Sequence, residues 1–216
     1  MSKAGIIEGL RKAVLTYDIE GAIKLAKKAV DSGINPIKAI EEGLVKGIRK
    51  VGKKFENKEI FLSELIMAAE TMNRGLEILE VELKKRKSKR KTLGKVLIGT
   101  VAGDIHDLGK TIVAAMLVAN GFEVIDLGVD VPTKVFVEKV KKFKPEILAL
   151  SALLTTTLPM QKEVIEALEK AGLREKIKII VGGAPVTPEW AKKIGADGYA
   201  ADAKSAVEIA KKLVQS

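Results

Sequence analysis

Lys95-Val-Leu-Ile-Gly-Thr-Val-Ala-Gly-Asp-Ile-His-Asp-Leu-Gly109 is the stretch whose reading decides the fold. It opens as a short, continuous apolar run at 96–99. It then crosses a loop of small and acidic residues and enters a helical apolar pattern near 108–120. A strand buried on both faces reads this way when it feeds a covering helix. Four more apolar runs follow, at 123–127, 147–150, 177–181 and 198–200. Helical stretches near 133–143, 159–171, 188–194 and 203–214 separate and close them. Five strand–helix units predict an α/β fold, a flavodoxin-like doubly wound five-stranded parallel sheet with strand order 2-1-3-4-5.

Upstream of this stretch the period changes. Ile6, Ile7, Leu10 and Val14 keep helical spacing, and Ile19, Ala22, Ile23 and Ala26 share one face of a second segment at 18–30. Gly33 suits a left-handed helix end. Asn35-Pro36 then offers a cap and a proline at the first helical position. Ile37, Ile40, Leu44, Ile48 and Val51 mark a third helix. Leu65, Ala69, Met72, Leu76, Leu79 and Leu83 mark a fourth, from about residue 62. Four amphipathic helices with short connections predict a four-helix bundle. The expected division is a helical domain at 1–87, a basic linker at 88–93 and the α/β domain at 94–216.

The 216 residues carry a formal charge of +10, and seven positive charges lie in Lys84-Lys-Arg-Lys-Ser-Lys-Arg-Lys91. Without that run +3 remains, so the folded parts are only mildly basic. None of the eight aromatic residues interrupts the run, so it offers no base-stacking platform and no nucleic-acid partner is expected. A solvated helix end and linker is the first reading of it, and a docking patch for an acidic partner is the alternative. No apolar run approaches the roughly 18 residues of a membrane helix, and Met1 leads into helical pattern without a secretory leader. No membrane partner and a cytoplasmic location are expected. The chain has no cysteine, which excludes disulfides, iron–sulfur clusters and thiolate metal sites.

His106 is the only histidine. It falls in a loop at the carboxyl edge of the sheet, where open α/β folds bind ligands. Asp104, two residues earlier, can hold one ring nitrogen and leave the other free for a metal. The remaining loops of that edge are Gly128-Val-Asp-Val-Pro132, Ser151-Ala-Leu-Leu-Thr-Thr-Thr157, Gly182-Gly-Ala-Pro185 and Ala201-Asp202. Their small and hydroxylic residues leave a slot, with Gly109, Gly182 and Gly183 cleared for close approach. Neither common phosphate-binding glycine motif is present. One histidine without cysteine is too little for a zinc site. A single protein ligand suits a metal that arrives in a macrocycle.

The three-part pattern resembles a known signature. Asp104-x-His106-x-x-Gly109, then 41 residues, Ser151-x-Leu153, then 28 residues and Gly182-Gly183 is similar to the cobalamin-binding module of methionine synthase and of corrinoid methyl-carrier proteins. The latter serve methanol, methylamine and methoxyarene methyltransferase systems. Phe55-Glu-Asn-Lys-Glu-Ile-Phe-Leu-Ser-Glu-Leu65 resembles the segment that caps the cofactor in that family, so the resemblance spans nearly the whole chain. It implies a cobalamin-binding, Rossmann-like domain beneath a helical cap, holding cobalamin or a related corrinoid that alternates between methylcob(III)alamin and cob(I)alamin.

By that resemblance His106 is the lower cobalt ligand, replacing the cofactor's dimethylbenzimidazole. Asp104 and Thr157 complete a relay, a threonine standing where methionine synthase has serine. The displaced nucleotide tail enters a slot lined by Gly109, Ser151, Leu153, Gly182 and Gly183. Gly103, Ile105, Asp107, Gly128, Val129, Thr155, Ala184, Pro185 and Ala201 border the cofactor. Phe55, Phe61, Leu62 and Leu65 form an apolar cap, and Ser63 stands where relatives often have proline. The implied role is a methyl carrier between a substrate-specific corrinoid methyltransferase and an acceptor methyltransferase using tetrahydrofolate or a thiol, with a reductive activase. Such a protein is a non-catalytic subunit of an enzyme system. A cobalamin-dependent sensor is the alternative, but would require an output domain for which this length leaves no room. The cobalamin subunit of a mutase usually lacks the helical part.

Overall fold

Ser2 opens the first helix, α1 (Lys3–Leu15), with its hydroxyl accepting from the Gly5 N–H at 3.1 Å. Asp18 caps α2 (Ile19–Asp31) in the same way through the Gly21 N–H at 2.8 Å. Gly33 takes φ +64° just beyond it, a left-handed turn that a glycine adopts without steric cost. Asn35 caps α3 (Pro36–Lys38) at the Ile37 N–H, 2.9 Å away. A π-helical segment, Ala39–Val45, then leads into α4 (Lys46–Glu56), and α5 (Leu62–Lys85) completes the helical part. The computed structural model describes residues 1–85 and 92–215. Most of the basic run at 84–91 and of the expected linker at 88–93 lies outside the described residues.

The π-helical segment is a departure from the regular third helix that apolar spacing predicts. Its physical reason is visible in the buried positions. Ile40, Leu44 and Ile48 recur every four residues, as do Ala39, Gly43, Gly47 and Val51. A regular α-helix repeats every 3.6 residues and would rotate that stripe off the core. Extra residues per turn keep it aligned. Gly43 of the segment and Gly47 at the start of α4 pack onto α1: a Cβ would lie 2.9 Å from the Cβ of Leu10 or Val14, respectively. Arg11 donates from Nε and Nη2 to the Glu42 carbonyl at 3.2 and 3.0 Å, closing the helical part across α1.

The sheet follows in five parallel strands: β1 (Lys95–Thr100), β2 (Glu123–Asp126), β3 (Ile147–Ser151), β4 (Lys178–Gly182) and β5 (Gly198–Ala200). Their order is β2-β1-β3-β4-β5, as the strand–helix alternation predicts. The helices are α6 (Leu108–Ala119), α7 (Thr133–Phe143), α8 (Leu158–Lys170), α9 (Pro188–Lys193) and α10 (Ala203–Leu213). Leu97, Leu148, Leu150, Ile179 and Val181 pack on one face with Phe136 and Val140 of α7 and Val164, Ile165 and Leu168 of α8. Gly99 leaves room for the Phe136 ring, which would stand 2.9 Å from a Cβ there. The alternate positions, Val96, Ile98, Ile147, Ala149 and Ile180, are buried on the opposite face. Both faces are therefore apolar, as a covered parallel sheet requires.

The described residues divide into two compact units, 1–85 with Val118–Gly121 and 92–117 with 122–215. Among them no helix is long and apolar enough to cross a membrane.

Gly47→Val tests the close approach of the start of α4 to α1. We expect a loss of about 1–3 kcal/mol in urea denaturation from overpacking. An unchanged denaturation midpoint would contradict this packing account.

Candidate functional site

Register aligns the carboxyl ends of the strands. Thr100 of β1 pairs with Ser151 of β3, Ser151 with Gly182 of β4, and Gly182 with Ala200 of β5. This row of small residues opens the edge from which the five loops leave. Gln161 of α8, fully buried, ties part of it together. Its Nε2 donates to the carbonyls of Leu150 and Gly182 at 3.1 and 3.2 Å, and its Oε1 accepts from Trp190 Nε1 at 3.0 Å.

Asp104 lies at the centre of this edge and is fully buried. Its Oδ1 accepts from the His106 N–H at 3.1 Å and lies 2.7 Å from His106 Nδ1. Its Oδ2 accepts from the N–H groups of Leu153 at 2.6 Å and Leu154 at 3.3 Å, and from the Thr157 hydroxyl at 2.7 Å. Burial pushes the carboxyl toward higher pKa. The bonds from Leu153, Thr157 and His106 outweigh it and hold Asp104 well below the usual carboxylate range.

A carboxylate can only accept, so His106 Nδ1 carries the proton in the neutral ring and Nε2 keeps its lone pair. Nε2 makes no hydrogen bond among the described residues, and the side chain is 46% exposed. The Thr100 hydroxyl donates to the His106 carbonyl at 3.0 Å. Thr157 occupies the N-cap position of α8, yet its hydroxyl makes no cap bond to that helix and turns to Asp104. Its methyl group lies toward Gly103, 3.7 Å from where a Cβ would stand there, so a threonine fits.

The neighbouring glycines do different work. Gly109 and Gly128 have nothing within 4 Å of a built Cβ, so space opens beside both. Gly183 is fixed by the fold: at φ +129° a Cβ would sit 1.8 Å from the Ala152 carbonyl oxygen. The approach it permits is therefore one between two strands' ends of this chain. A Cβ at Gly182 would stand 3.1 Å from the Ala200 carbonyl oxygen. Ile105 and Leu108 are 73% and 65% exposed, and Leu153 and Leu154 are also exposed, a collar of large apolar side chains on the loops that carry and hold His106. Gly103, Asp107, Thr155, Ala184 and Ala201 are exposed, and Val129, Ser151 and Pro185 are half-buried.

In the helical unit Phe61 is 82% exposed, while Phe55 and Leu62 are half-buried. Leu65 is fully buried. Glu64 supports the turn before it, accepting from the Phe61 N–H at 2.8 Å and the Tyr17 hydroxyl at 3.2 Å. A separate cavity of about 380 Å³ between α1 and the Gly33 turn holds none of the candidate residues.

Several contributors carry no obvious motif. Asp130 accepts from the Gly103 N–H at 2.7 Å and donates its own N–H to the Asp104 carbonyl at 2.8 Å, at φ +50°. Lys110, nearly fully buried, pairs with Asp107 at 2.6 Å and with Asp126. Its signal was available: it is the one charge in the otherwise apolar α6.

The set fits a large, apolar-edged macrocycle bringing its own metal. One unpaired imidazole nitrogen faces outward among exposed aliphatic side chains and open glycines. Among the described residues no group of three or more His, Asp or Glu could hold a metal ion alone.

Comparison with known proteins agrees. A family model described as a B12 binding domain matches residues 94–208, and another matches residues 6–80. Trimethylamine corrinoid protein 1 of Methanosarcina acetivorans is 50% identical over 212 residues, covering 98% of this chain and 97% of the relative. Dimethylamine corrinoid protein 1 of that organism is 46% identical over 214 residues, covering 99% and 100%. The crystal structure of the methanol:cobalamin methyltransferase complex of Methanosarcina barkeri matches with a TM-score of 0.85 at 32% identity, over 99% of this chain and 81% of that one.

Asp104→Asn should place an amide N–H among donors and cost about 1–3 kcal/mol, read by chemical denaturation at neutral pH. Asp104 has a depressed folded pKa, so its contribution is complete above the ordinary aspartate value and declines as pH falls below it toward the folded value. The gap between wild type and variant should therefore narrow only in acid below about pH 4. A gap that widens on acidification would contradict the assignment.

Proposed function

The chain belongs to the family of B12-binding corrinoid proteins, and on that premise we propose that it carries a methyl group between two separate methyltransferases. The observation that carries the reading is the outward Nε2 of His106, held through Nδ1 by a buried carboxylate. When bound, a corrinoid supplies a cobalt centre able to take up a methyl group and give it away.

This chain's residues would hold and control that centre. His106 would offer Nε2 to the cobalt of such a cofactor. Asp104 fixes the ring's tautomer and orientation, and Thr157 holds the second oxygen of Asp104. The open spaces at Gly109 and Gly128 admit the displaced tail, alongside Ser151, Leu153, Gly182 and Gly183. Ile105, Leu108, Leu153 and Leu154 offer apolar surface to the macrocycle. The helical part is assigned to residues 1–87 as a cap, with Phe55, Phe61, Leu62 and Leu65 as its apolar residues, and such a cap would keep water from a reactive centre. The corrinoid domain is assigned to residues 94–216.

One partner is a substrate-specific corrinoid methyltransferase. The relatives named for trimethylamine and dimethylamine support methylated amines as the donor class. An acceptor methyltransferase takes the methyl group onto tetrahydrofolate or a thiol, and a reductive activase restores protein that has lost an electron. We place this traffic in the cytoplasm.

Two experiments test the reading. Purified chain mixed with methylcobalamin and desalted should stay coloured, and His106→Ala should retain the cofactor with a changed visible spectrum. A folded but colourless protein, or a spectrum indifferent to His106→Ala, would contradict it. Gly109→Leu should fold normally, because nothing lies near a Cβ there. It should weaken corrinoid binding by about tenfold or more, roughly 1.4 kcal/mol. Undiminished affinity would remove the slot at Gly109.

A further inference from the structure

Lys110 takes no part in the chemistry above, yet its side chain is only 2% exposed. Its ammonium lies 2.6 Å from Asp107 Oδ1 and forms a second ion pair with Asp126 Oδ2. Asp107 directly follows His106. Asp126 ends β2, and its Oδ1 accepts from the Gly128 N–H at 2.8 Å. The Gly128 carbonyl accepts from the Thr100 N–H at 3.0 Å, and the Thr100 hydroxyl donates to the His106 carbonyl at 3.0 Å. The contacts close a ring around the downstream side of the His106 loop, and Lys110 is its one cation.

We infer that Lys110 is a positioning residue for His106: its buried ammonium clamps Asp107 to the end of β2 and so fixes the loop that presents the imidazole. The inference rests on His106 being the axial ligand. The upstream side of the loop has its own anchors, since Asp104 and Asp130 hold residues 103–106. The downstream side depends on charge. Without the ammonium, two carboxylates would face each other with no cation between them, and the more exposed Asp107 would swing outward. The imidazole would then lose its fixed direction while the sheet beneath it stayed folded.

The test compares wild type, His106→Ala, Lys110→Met, Lys110→Arg and Lys110→Met/Asp126→Asn. Folding is checked by circular dichroism, and methylcobalamin affinity and visible spectrum are measured. Lys110→Met should bind about tenfold or more weakly, as loss of a partner behind a metal ligand does. Its spectrum should move toward that of His106→Ala. Lys110→Arg, keeping the charge, should stay near wild type. Lys110→Met/Asp126→Asn, leaving one carboxylate, should recover part of the loss. A Lys110→Met protein with lower melting temperature but wild-type affinity and spectrum would overturn the inference alone. Coincident wild-type and His106→Ala spectra would overturn the ligand reading and this inference with it. Should Lys110→Met not fold, Asp126→Asn stands in. It keeps an acceptor for Gly128, weakens the same clamp, and should shift both readouts less but in the same direction. No shift there would overturn the inference.

Discussion

A charged carboxylate with no access to water is the constraint on which the rest of the site depends. Burying Asp104 is costly unless its oxygens are fully bonded. The chain meets that demand by bringing three loops to one point. The loop after β1 supplies the His106 N–H and ring, and the loop after β3 supplies Leu153, Leu154 and Thr157. The loop after β2 reaches the Asp104 backbone through Asp130. What orders the loops also sets the histidine's tautomer, because a carboxylate that only accepts leaves Nε2 with the lone pair. Stability and chemistry are linked in one residue, and the direction of its pKa is the thermodynamic trace of that link.

The sheet makes the meeting possible. Five parallel strands end on one side, and the row Thr100–Ser151–Gly182–Ala200 keeps that side free of bulk. On one face the sheet and the helices α7 and α8 share a continuous apolar core. Within it the buried amide of Gln161 adds to the backbone pairing of β3 and β4 by donating to the Leu150 and Gly182 carbonyls. The exposed aliphatic residues beside His106 then stand out. Large apolar side chains left in water around one imidazole mark a surface meant to be covered.

Much of the fold can be read from the chain. Continuous apolar runs bounded by glycine and acid identify the strands, and the strict alternation with helices implies their order. The π-helical segment is harder, because its evidence is the difference between a four-residue and a 3.6-residue repeat over Ile40, Leu44 and Ile48. At the site, the partnership of Asp104 with a histidine two residues on is suggested by spacing. Leu154, Asp130 and Thr100 are not, because they act through backbone groups or at long sequence distance, and nothing in their side-chain type announces it. Gly183 shows another difficulty: a glycine in a ligand motif reads as ligand space, while the close Ala152 carbonyl is a second reason for glycine there that the motif does not announce. Leu65 lies in a segment that resembles a cap, and periodicity alone does not separate its core-facing position from the exposed Phe61.

Because His106 is the only histidine, feeding cells 15N-histidine labels one imidazole and nothing else that could bind cobalt. Electron paramagnetic resonance of the corrinoid-loaded protein in its Co(II) state reports the axial nitrogen directly through its splitting pattern. The account predicts that the nitrogen triplet of unlabelled protein becomes a doublet after labelling. A triplet unchanged by the label would mean that the cofactor's own base stays on the metal and that His106 is not its ligand.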